Sequence, residues 1–487
     1  MSSSSTPDNQ PSDAGAESDL AARIRAASEL LEDLLADRFQ LTQIPEEEKI
    51  RLLSAAGRLS RPDPSIRRQQ VKVARRERKR ARVRKEEAVL SEAGIRKLRR
   101  AEVFTTPNVF PPTEFEPNDV HEPQDERRET AEEQHCYVCK RHYTTLHHFY
   151  DQLCPSCGDF NYQKRTELAD LRGRVALLTG GRVKIGYQAG IKLLRSGARL
   201  IVTTRFPRDS AARYAREPDF EEWGDRLEIY GLDLRHTPSV EAFCRHLVTT
   251  HDRLDFIINN ACQTVRRPPE FYRHMMASEM AALDSVPPAA RKVLGAYSAL
   301  RGQPALPDGT STPAALDKRI SEFVGLTQAA QLSQVPLLPE ELDGQADAFP
   351  PGLLDQDLQQ VDLRPVNSWR MLLADVPSVE LLEVHLVNAI APFIINARLK
   401  PLMLKTPGRE KHIVNVSAME GQFYRKFKTT RHPHTNMAKA ALNMMTRTSA
   451  TDYHVDGIHM NSVDTGWVTD EDPAEIAARK TAEHRFH

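Results

Sequence analysis

The sequence predicts an α/β domain built on a doubly wound parallel sheet, preceded by a small metal module and a helical N-terminal region. Three observations carry this reading. From Arg174 onward, short apolar runs alternate with helical patterns, the alternation that a parallel sheet with crossover helices requires. The first run, Val175–Thr179, leads through a glycine-bearing turn into a helical segment. Just upstream stand two Cys-x-x-Cys pairs, Cys136/Cys139 and Cys154/Cys157.

Composition sets the outer limits. A chain of 487 residues has room for two or three domains with a buried core. Lys and Arg number 67 against 67 Asp and Glu, so overall charge advertises neither nucleic acid nor membrane. No apolar run approaches the roughly 18 residues needed to span a bilayer. The start, Met1-Ser2-Ser3-Ser4-Ser5, lacks the basic and apolar regions of a secretory signal. Six cysteines in so long a chain make no disulfide framework. A cytoplasmic protein is expected, or a nuclear one in a eukaryote, with a homo-oligomer left open.

Taken in order, residues 1–17 are rich in Ser, Asp, Gln and Pro and are expected to be disordered. A helical, basic region follows over 18–101. Leu20, Ile24, Ala27, Leu31 and Leu34 share one stripe. A second helix opens at Pro45 with Glu46, Glu47 and Glu48 at its positive end. The two are candidates for a hairpin. Residues 71–100 hold 13 Lys or Arg against 4 Glu, a net of 13 − 4 = +9. They read as a long basic helix, either solvated or docking an acidic partner or nucleic acid. No aromatics interleave for base stacking, which weakens the nucleic-acid reading. Residues 102–133 are Pro-rich and acidic, a linker by composition.

The cysteine pairs define a module over 134–166. Fourteen residues separate Cys139 from Cys154. Each pair presents two thiolates to one tetrahedral metal, and Cys-Pro-Ser-Cys-Gly suits a tight knuckle. Cys136, Cys139, Cys154 and Cys157 together close a four-sulfur zinc site with no open position, so the zinc is expected to be structural. Redox-active thiols are the rival reading. His135, His142, His147 and His148 read as packing or surface residues.

Over 170–487 the strands are Val175–Thr179, Arg199–Thr204, Leu227–Leu232, Leu254–Ile258, His412–Val416 and Ile458–Val463. The turn Thr179-Gly180-Gly181-Arg182-Val183-Lys184-Ile185-Gly186 sits between strand and helix, where free N–H groups and the helix dipole receive pyrophosphate. This run resembles the Thr-Gly-x-x-x-Gly-x-Gly of the short-chain dehydrogenase/reductase family, a Rossmann-type fold, with Lys184 at the middle glycine. That substitution implies a loop that bends differently or gains a charge. Arg205 ends the second strand, where arginine accommodates a 2′-phosphate, so NADP is favoured over NAD. By the same resemblance Asp233 contacts adenine, Asn260 and Ala261 belong to the Asn-Asn-Ala motif, and Asn388 is the family's asparagine. Asp464-Thr465-Gly466-Trp467-Val468 resembles the Pro-Gly loop near the nicotinamide, with Gly466 and Val468 as cofactor contacts. A stretch of about 263–377 interrupts the pattern. It is expected to cover the substrate side, and no motif in it identifies the small-molecule substrate.

The resemblance implies hydride transfer between cofactor and a carbonyl or alcohol, using Tyr, Lys, Ser and Asn. Here Lys439 and Asn388 stand in place, but Thr435 replaces the tyrosine and Ala418 the serine, with Ser417 one residue early. An aliphatic hydroxyl is no substitute for a phenol as proton donor. Tyr424, which forms Tyr-x-x-x-Lys with Lys428, and His432 and His434 are candidates for a relocated role. Two functions stay open: an NADP-dependent oxidoreductase with a non-standard site, and an inactive NADP-binding regulatory or scaffold protein. The resemblance also implies a further helix and strand after the last segment, and the chain reaches His487 before both fit. The exposed sheet edge is then expected to be covered by the zinc module, the insertion or a partner, or else the sequence is a short form.

Overall fold

The computed structural model describes residues 13–60, 64–96, 128–282, 286–302, 323–342, 346–355, 359–424, 428–466, 471–473 and 476. They fall into two units, Met1–Lys85 and Glu86–His487.

The first unit holds α1 (Asp13–Ala36), α2 (Glu46–Ser60) and most of α3 (Pro64–Leu90). Residues 1–12 lie outside the described residues. Helix α1 begins at Asp13, inside the stretch expected to be disordered. The polar bias ends near Pro11, and Asp13, Ala14, Ala16 and Glu17 suit a first helical turn. Ile24, Leu31 and Leu35 of α1 and Ile50 and Leu53 of α2 stay exposed, so the expected hairpin is not formed. From Val71 to Lys85 the side chains of α3 are exposed apart from Val83.

The second unit opens with the last turn of α3. Glu86 is buried and accepts hydrogen bonds from Ala131 N (3.2 Å) and Gln134 Nε2 (2.6 Å). Arg96 is buried between Glu87 (2.5 Å) and Asp151 (2.6 Å). Leu90, Ala93 and Leu146 pack together. Residues 86–96 thus belong to the cysteine module rather than to a free basic helix. Within the expected linker, Glu129–His135 is strand β1, paired antiparallel with β2 (His142–Thr145). Its polar sequence reads as linker because only Thr130 on it is buried. Residues 102–127 lie outside the described residues. Helix α4 (Pro155–Thr166) starts directly after Cys154, with proline in its first turn.

The main sheet contains β3 (Val175–Thr179), β4 (Arg199–Thr204), β5 (Leu227–Gly231), β6 (Phe256–Asn259), β7 (Lys411–Ser417) and β8 (Ile458–Asp464). All pairs are parallel, in the order β5-β4-β3-β6-β7-β8. Leu177, Leu200, Ile201, Ile229, Ile257 and Ile413 are buried on both sides, which is why the strands read as unbroken apolar runs. Helices α5 (Lys184–Arg195), α6 (Pro207–Tyr214) and α7 (Thr237–Thr250) follow β3, β4 and β5. Strand order reverses between β3 and β6, and ligands bind such sheets at the carboxyl ends beside that reversal.

The interruption after β6 is built into the domain. It includes α8 (Pro269–Met280). Phe271, Tyr272 and Met275 form a second core with Phe206, Ala330 and Phe349, while Tyr297 and Leu326 join the main core. Next come α9 (Ser378–His385), a π-helical turn (Leu386–Ile390) and α10 (Ala391–Lys405). By length and composition this continuous Ser378–Lys405 segment is long and apolar enough to cross a membrane, contrary to the expectation from short apolar runs. Its apolarity has a local cause, since Ile395, Leu399 and Leu402 are buried in the core and α10 lies against α7. Helix α11 (Pro433–Val455) connects β7 to β8.

Candidate functional site: a cleft at the strand ends

The β3–α5 turn is shaped by glycine where side chains do not fit. Gly180 has φ +69°, and a Cβ there would stand 2.8 Å from Ala261 Cα. At Gly186 a Cβ would meet the Gly180 carbonyl oxygen at 2.2 Å. Gly181 packs against Val202. Lys184 keeps a left-handed backbone, φ +55°. The turn is clamped from β6: Ala261 N donates to Thr179 Oγ1 (3.1 Å), and Asn260 Nδ2 donates to the carbonyls of Thr179 (3.2 Å) and Gly180 (3.1 Å). The first turn of α5 leaves N–H groups without intrahelical partners, and Arg182, Lys184, Ile185 and Gly186 line the cleft there.

That cleft has a volume of about 960 Å³ and runs along the carboxyl ends of the strands. At the end of β4, Arg205 Nη2 donates to Tyr272 Oη (2.7 Å), and the guanidinium lies 4.6 Å from that ring's centre. Among the described residues it forms no ion pair with a carboxylate, unlike its neighbours. Arg182 is buried, bonded to Asp209 (2.7 Å) and to Gln359 Oε1 (2.7 Å). Asp233 is buried against Arg235 (2.6 Å), and its N–H donates to Gly325 O (2.7 Å). Burial works against ionising Asp233, but the Arg235 charge and hydrogen bonds hold its carboxyl below the usual range. Asp233, which the family resemblance directs toward adenine, therefore has internal partners, and Arg205 is held by Tyr272.

The other end holds the residues expected to do chemistry. Lys439 is buried with Nζ donating to Val416 O (2.8 Å). Ser417 lines the cleft, but its hydroxyl turns to Lys439 O (3.5 Å). Asn388 sits in the π-helical turn, and both amide atoms close on the Gln263 backbone, Oδ1 to N (2.8 Å) and Nδ2 to O (2.9 Å). Thr435 is buried outside the cleft lining, its hydroxyl without a partner among the described residues. Tyr424 is 94% exposed and does not line the cleft either. Its ring meets Phe423 edge-on at 5.4 Å and stands in solvent rather than over the cleft.

His432 does line the cleft, as do Ala418, Asn436, Lys439 and Gly466. It is buried, its backbone is left-handed (φ +43°), and its ring stacks on Trp369 at 3.8 Å and 1°. Its Nδ1 has no hydrogen-bond partner among the described residues. His434 faces Glu380 instead (3.8 Å). Burial pushes both imidazoles down to about 4. Val468 lies outside the described residues.

The family model described as short chain dehydrogenase matches residues 174–283, and that described as enoyl-(acyl carrier protein) reductase matches 367–487. The chain belongs to the short-chain dehydrogenase/reductase family. An uncharacterized protein of Acanthamoeba polyphaga mimivirus is 30% identical over 64% of this chain and 58% of its own length. Dehydrogenase/reductase SDR family member 13 of Bos taurus is 34% identical over 21% of this chain and 28% of its own length. The chain thus spans less than two thirds of either relative. A metagenomic short-chain oxidoreductase solved in complex with NADP is 17% identical, covering 65% of this chain and 93% of that one, with a TM-score of 0.36.

Around this family core, the four cysteine sulfurs lie within 4.8 Å of one another, Cys139 and Cys154 at 3.7 Å. Tetrahedral zinc with Zn–S near 2.3 Å places sulfurs about 3.8 Å apart, so the cluster fits that ion. Burial, then hydrogen bonds to Cys154, Cys139 and Cys136, push the Cys157 thiol up to about 12. Several site residues had no signal in the sequence. Tyr272, Gln359 and Trp369 come from the insertion, which lines both ends of the cleft and not the substrate side alone. A buried chain of charges, Asp233–Arg235–Glu383–Arg266–Glu341, joins the cleft to the insertion through contacts of 2.6, 2.8, 2.5 and 2.8 Å.

Proposed function

We propose that this short-chain dehydrogenase/reductase binds NADP(H) in the cleft and interconverts a carbonyl and an alcohol, with His432 in the proton-transfer role. A structural zinc is held by Cys136, Cys139, Cys154 and Cys157. The observation that carries the reaction is His432 itself, a buried imidazole fixed by Trp369 and lining the cleft that Lys439 also lines. NADP is preferred because Arg205 offers a guanidinium with no carboxylate partner at the strand end. Thr179, Gly180, Gly186, Asn260 and Ala261 shape the pyrophosphate turn, and Gly466 lies near the reacting end. When bound, the cofactor supplies the hydride. The chain's residues orient it and hold a proton at the imidazole, as a neutral ring poised against a substrate oxygen. A second reading, an NADP-binding regulatory protein without turnover, is favoured by Thr435 lying outside the cleft and by the closed amide of Asn388. The basic face of α3 is proposed to meet an acidic partner or nucleic acid.

Calorimetric titration with NADPH and NADH tests the binding half. Wild type is expected to prefer NADPH, and Arg205→Ala to lose roughly tenfold or more of that preference, the scale of one charge-assisted hydrogen bond. Equal affinities in wild type would remove the argument from Arg205. For the reaction, NADPH oxidation is followed on a panel of aldehydes and ketones. His432→Phe keeps the stack on Trp369 and is expected to slow turnover by about 100-fold or more. Turnover that survives this change rejects His432, and binding with no turnover selects the second reading.

A further inference from the structure

The cysteine module reaches segments that flank the cleft. Tyr137, between Cys136 and Cys139, donates its hydroxyl to Asp464 Oδ2 at 3.0 Å. Asp464 ends β8, and its other oxygen accepts the N–H of Met419 at 3.3 Å. One carboxylate thereby fixes two segments that flank the reacting end: Ala418–Glu420, and the Thr465–Gly466 loop. Gly466 lies against the Tyr137 ring, where a Cβ would be in ordinary contact at 3.7 Å. The backbone of Tyr137 is in turn set by the metal cluster. Its N–H donates to Gln152 O (2.9 Å), two residues before Cys154, and it directly follows Cys136 and stands two residues before Cys139, two of the four clustered cysteines. Farther along the chain, the Glu471 carbonyl accepts from Asn367 Nδ2 of the insertion (2.8 Å).

We infer that Tyr137 is a positioning residue for the cofactor cleft, so that metal occupancy of the cysteine cluster sets how tightly the cleft holds its nicotinamide nucleotide. Without the ion, the two knuckles are not fixed to each other, Tyr137 loses its anchor, and Asp464 no longer holds the two loops together. The inference rests on the proposed NADP(H) binding and zinc site, and it assigns the zinc module a role beyond its own folding.

The full-length protein is compared as wild type, Tyr137→Phe and Asp464→Ala. Tyr137→Phe keeps the ring and all four thiols, so it is expected to retain one equivalent of zinc and the wild-type Tm within about 2 °C, on the scale of a lost exposed hydrogen bond. Its affinity for NADPH is expected to fall about 5- to 10-fold by titration, the scale of one hydrogen bond to a charged group. Asp464→Ala should lower affinity similarly, and the double variant should lose no more than the larger single loss, because the residues act as one unit. Hydrogen exchange without nucleotide should quicken at the Met419 amide and over 462–466 in Tyr137→Phe, and in wild type after zinc chelation. Unchanged exchange and unchanged affinity in Tyr137→Phe, or fully additive losses in the double variant, would overturn the inference. If wild type fails to bind NADPH, the proposed function falls, and exchange at Met419 alone then decides whether Tyr137 positions the loops.

Discussion

Lys184 occupies a backbone conformation that glycine adopts freely and that costs other residues roughly 1–2 kcal/mol. Replacing it with glycine removes that strain but adds about 0.5–1 kcal/mol of unfolded-state entropy. The two nearly cancel, so Lys184→Gly is expected to change unfolding free energy by less than about 1 kcal/mol in urea titration. A loss beyond about 2 kcal/mol would mean that side-chain packing, not backbone shape, decides the position. His432 and His434 make a second prediction at this scale. Burial holds both rings near 4, whereas the unfolded chain takes up those protons near pH 6.5. Below that pH the unfolded state binds more protons, so stability should fall as pH drops from about 6.5 to 4. Melting curves across that window test it, and His434→Leu should flatten the decline. A wild-type Tm that rises on acidification would contradict the burial argument. The lysine stood out in the sequence as a broken motif. The burial of the two histidines did not, because it depends on Trp369 and Glu380, which come from other segments.

The strands were readable because each is buried on both faces by helices and so keeps a continuous apolar run. What periodicity cannot show is the polar set threaded between elements. Asn259 of β6 donates to Asn396 of α10 and Asn415 of β7 (both 2.9 Å), and Asn415 donates to Thr446 of α11 (2.9 Å). Thr446 and Ser462 of β8 are 2.7 Å apart. These side chains tie three strands to two helices in the interior. Asn415→Leu would leave Asn396 Nδ2 without its acceptor and take one of the two acceptors of Asn259 Nδ2, and a buried amide left without a partner costs about 1–3 kcal/mol. A total loss of at least about 2 kcal/mol is expected in chemical denaturation. A neutral substitution would mean that water replaces the missing oxygen. The same blindness applied to β1, whose polar residues read as linker although its backbone pairs with β2, and to α8, hidden in a stretch that reads as a loop.

At the scale of the molecule, the charges that bind the insertion are internal. Arg266 is 6% exposed and pairs with Glu383 and Glu341, while Glu383 reaches Arg235 beside Asp233. Removing one member of a buried ion network leaves uncompensated charge and costs about 3–5 kcal/mol. Arg266→Met is therefore expected to lower stability by that amount and to weaken nucleotide binding, because the strain reaches Asp233. Loss of stability with unaltered affinity would uncouple the two. No local pattern announces such contacts, since Arg266 and Glu383 are 117 residues apart. Pairing of this kind is visible only once the chain is folded. The neck formed by Asn388 and the Gln263 backbone joins positions 125 residues apart. Closing a loop costs free energy that grows only with the logarithm of its length, about 0.6 kcal/mol for each doubling. With its ends already fastened at the sheet, the intervening tract can lengthen or shorten at almost constant entropic penalty. Descendants of this fold are thus able to trial new surfaces over the cleft while the strands beneath them keep their register.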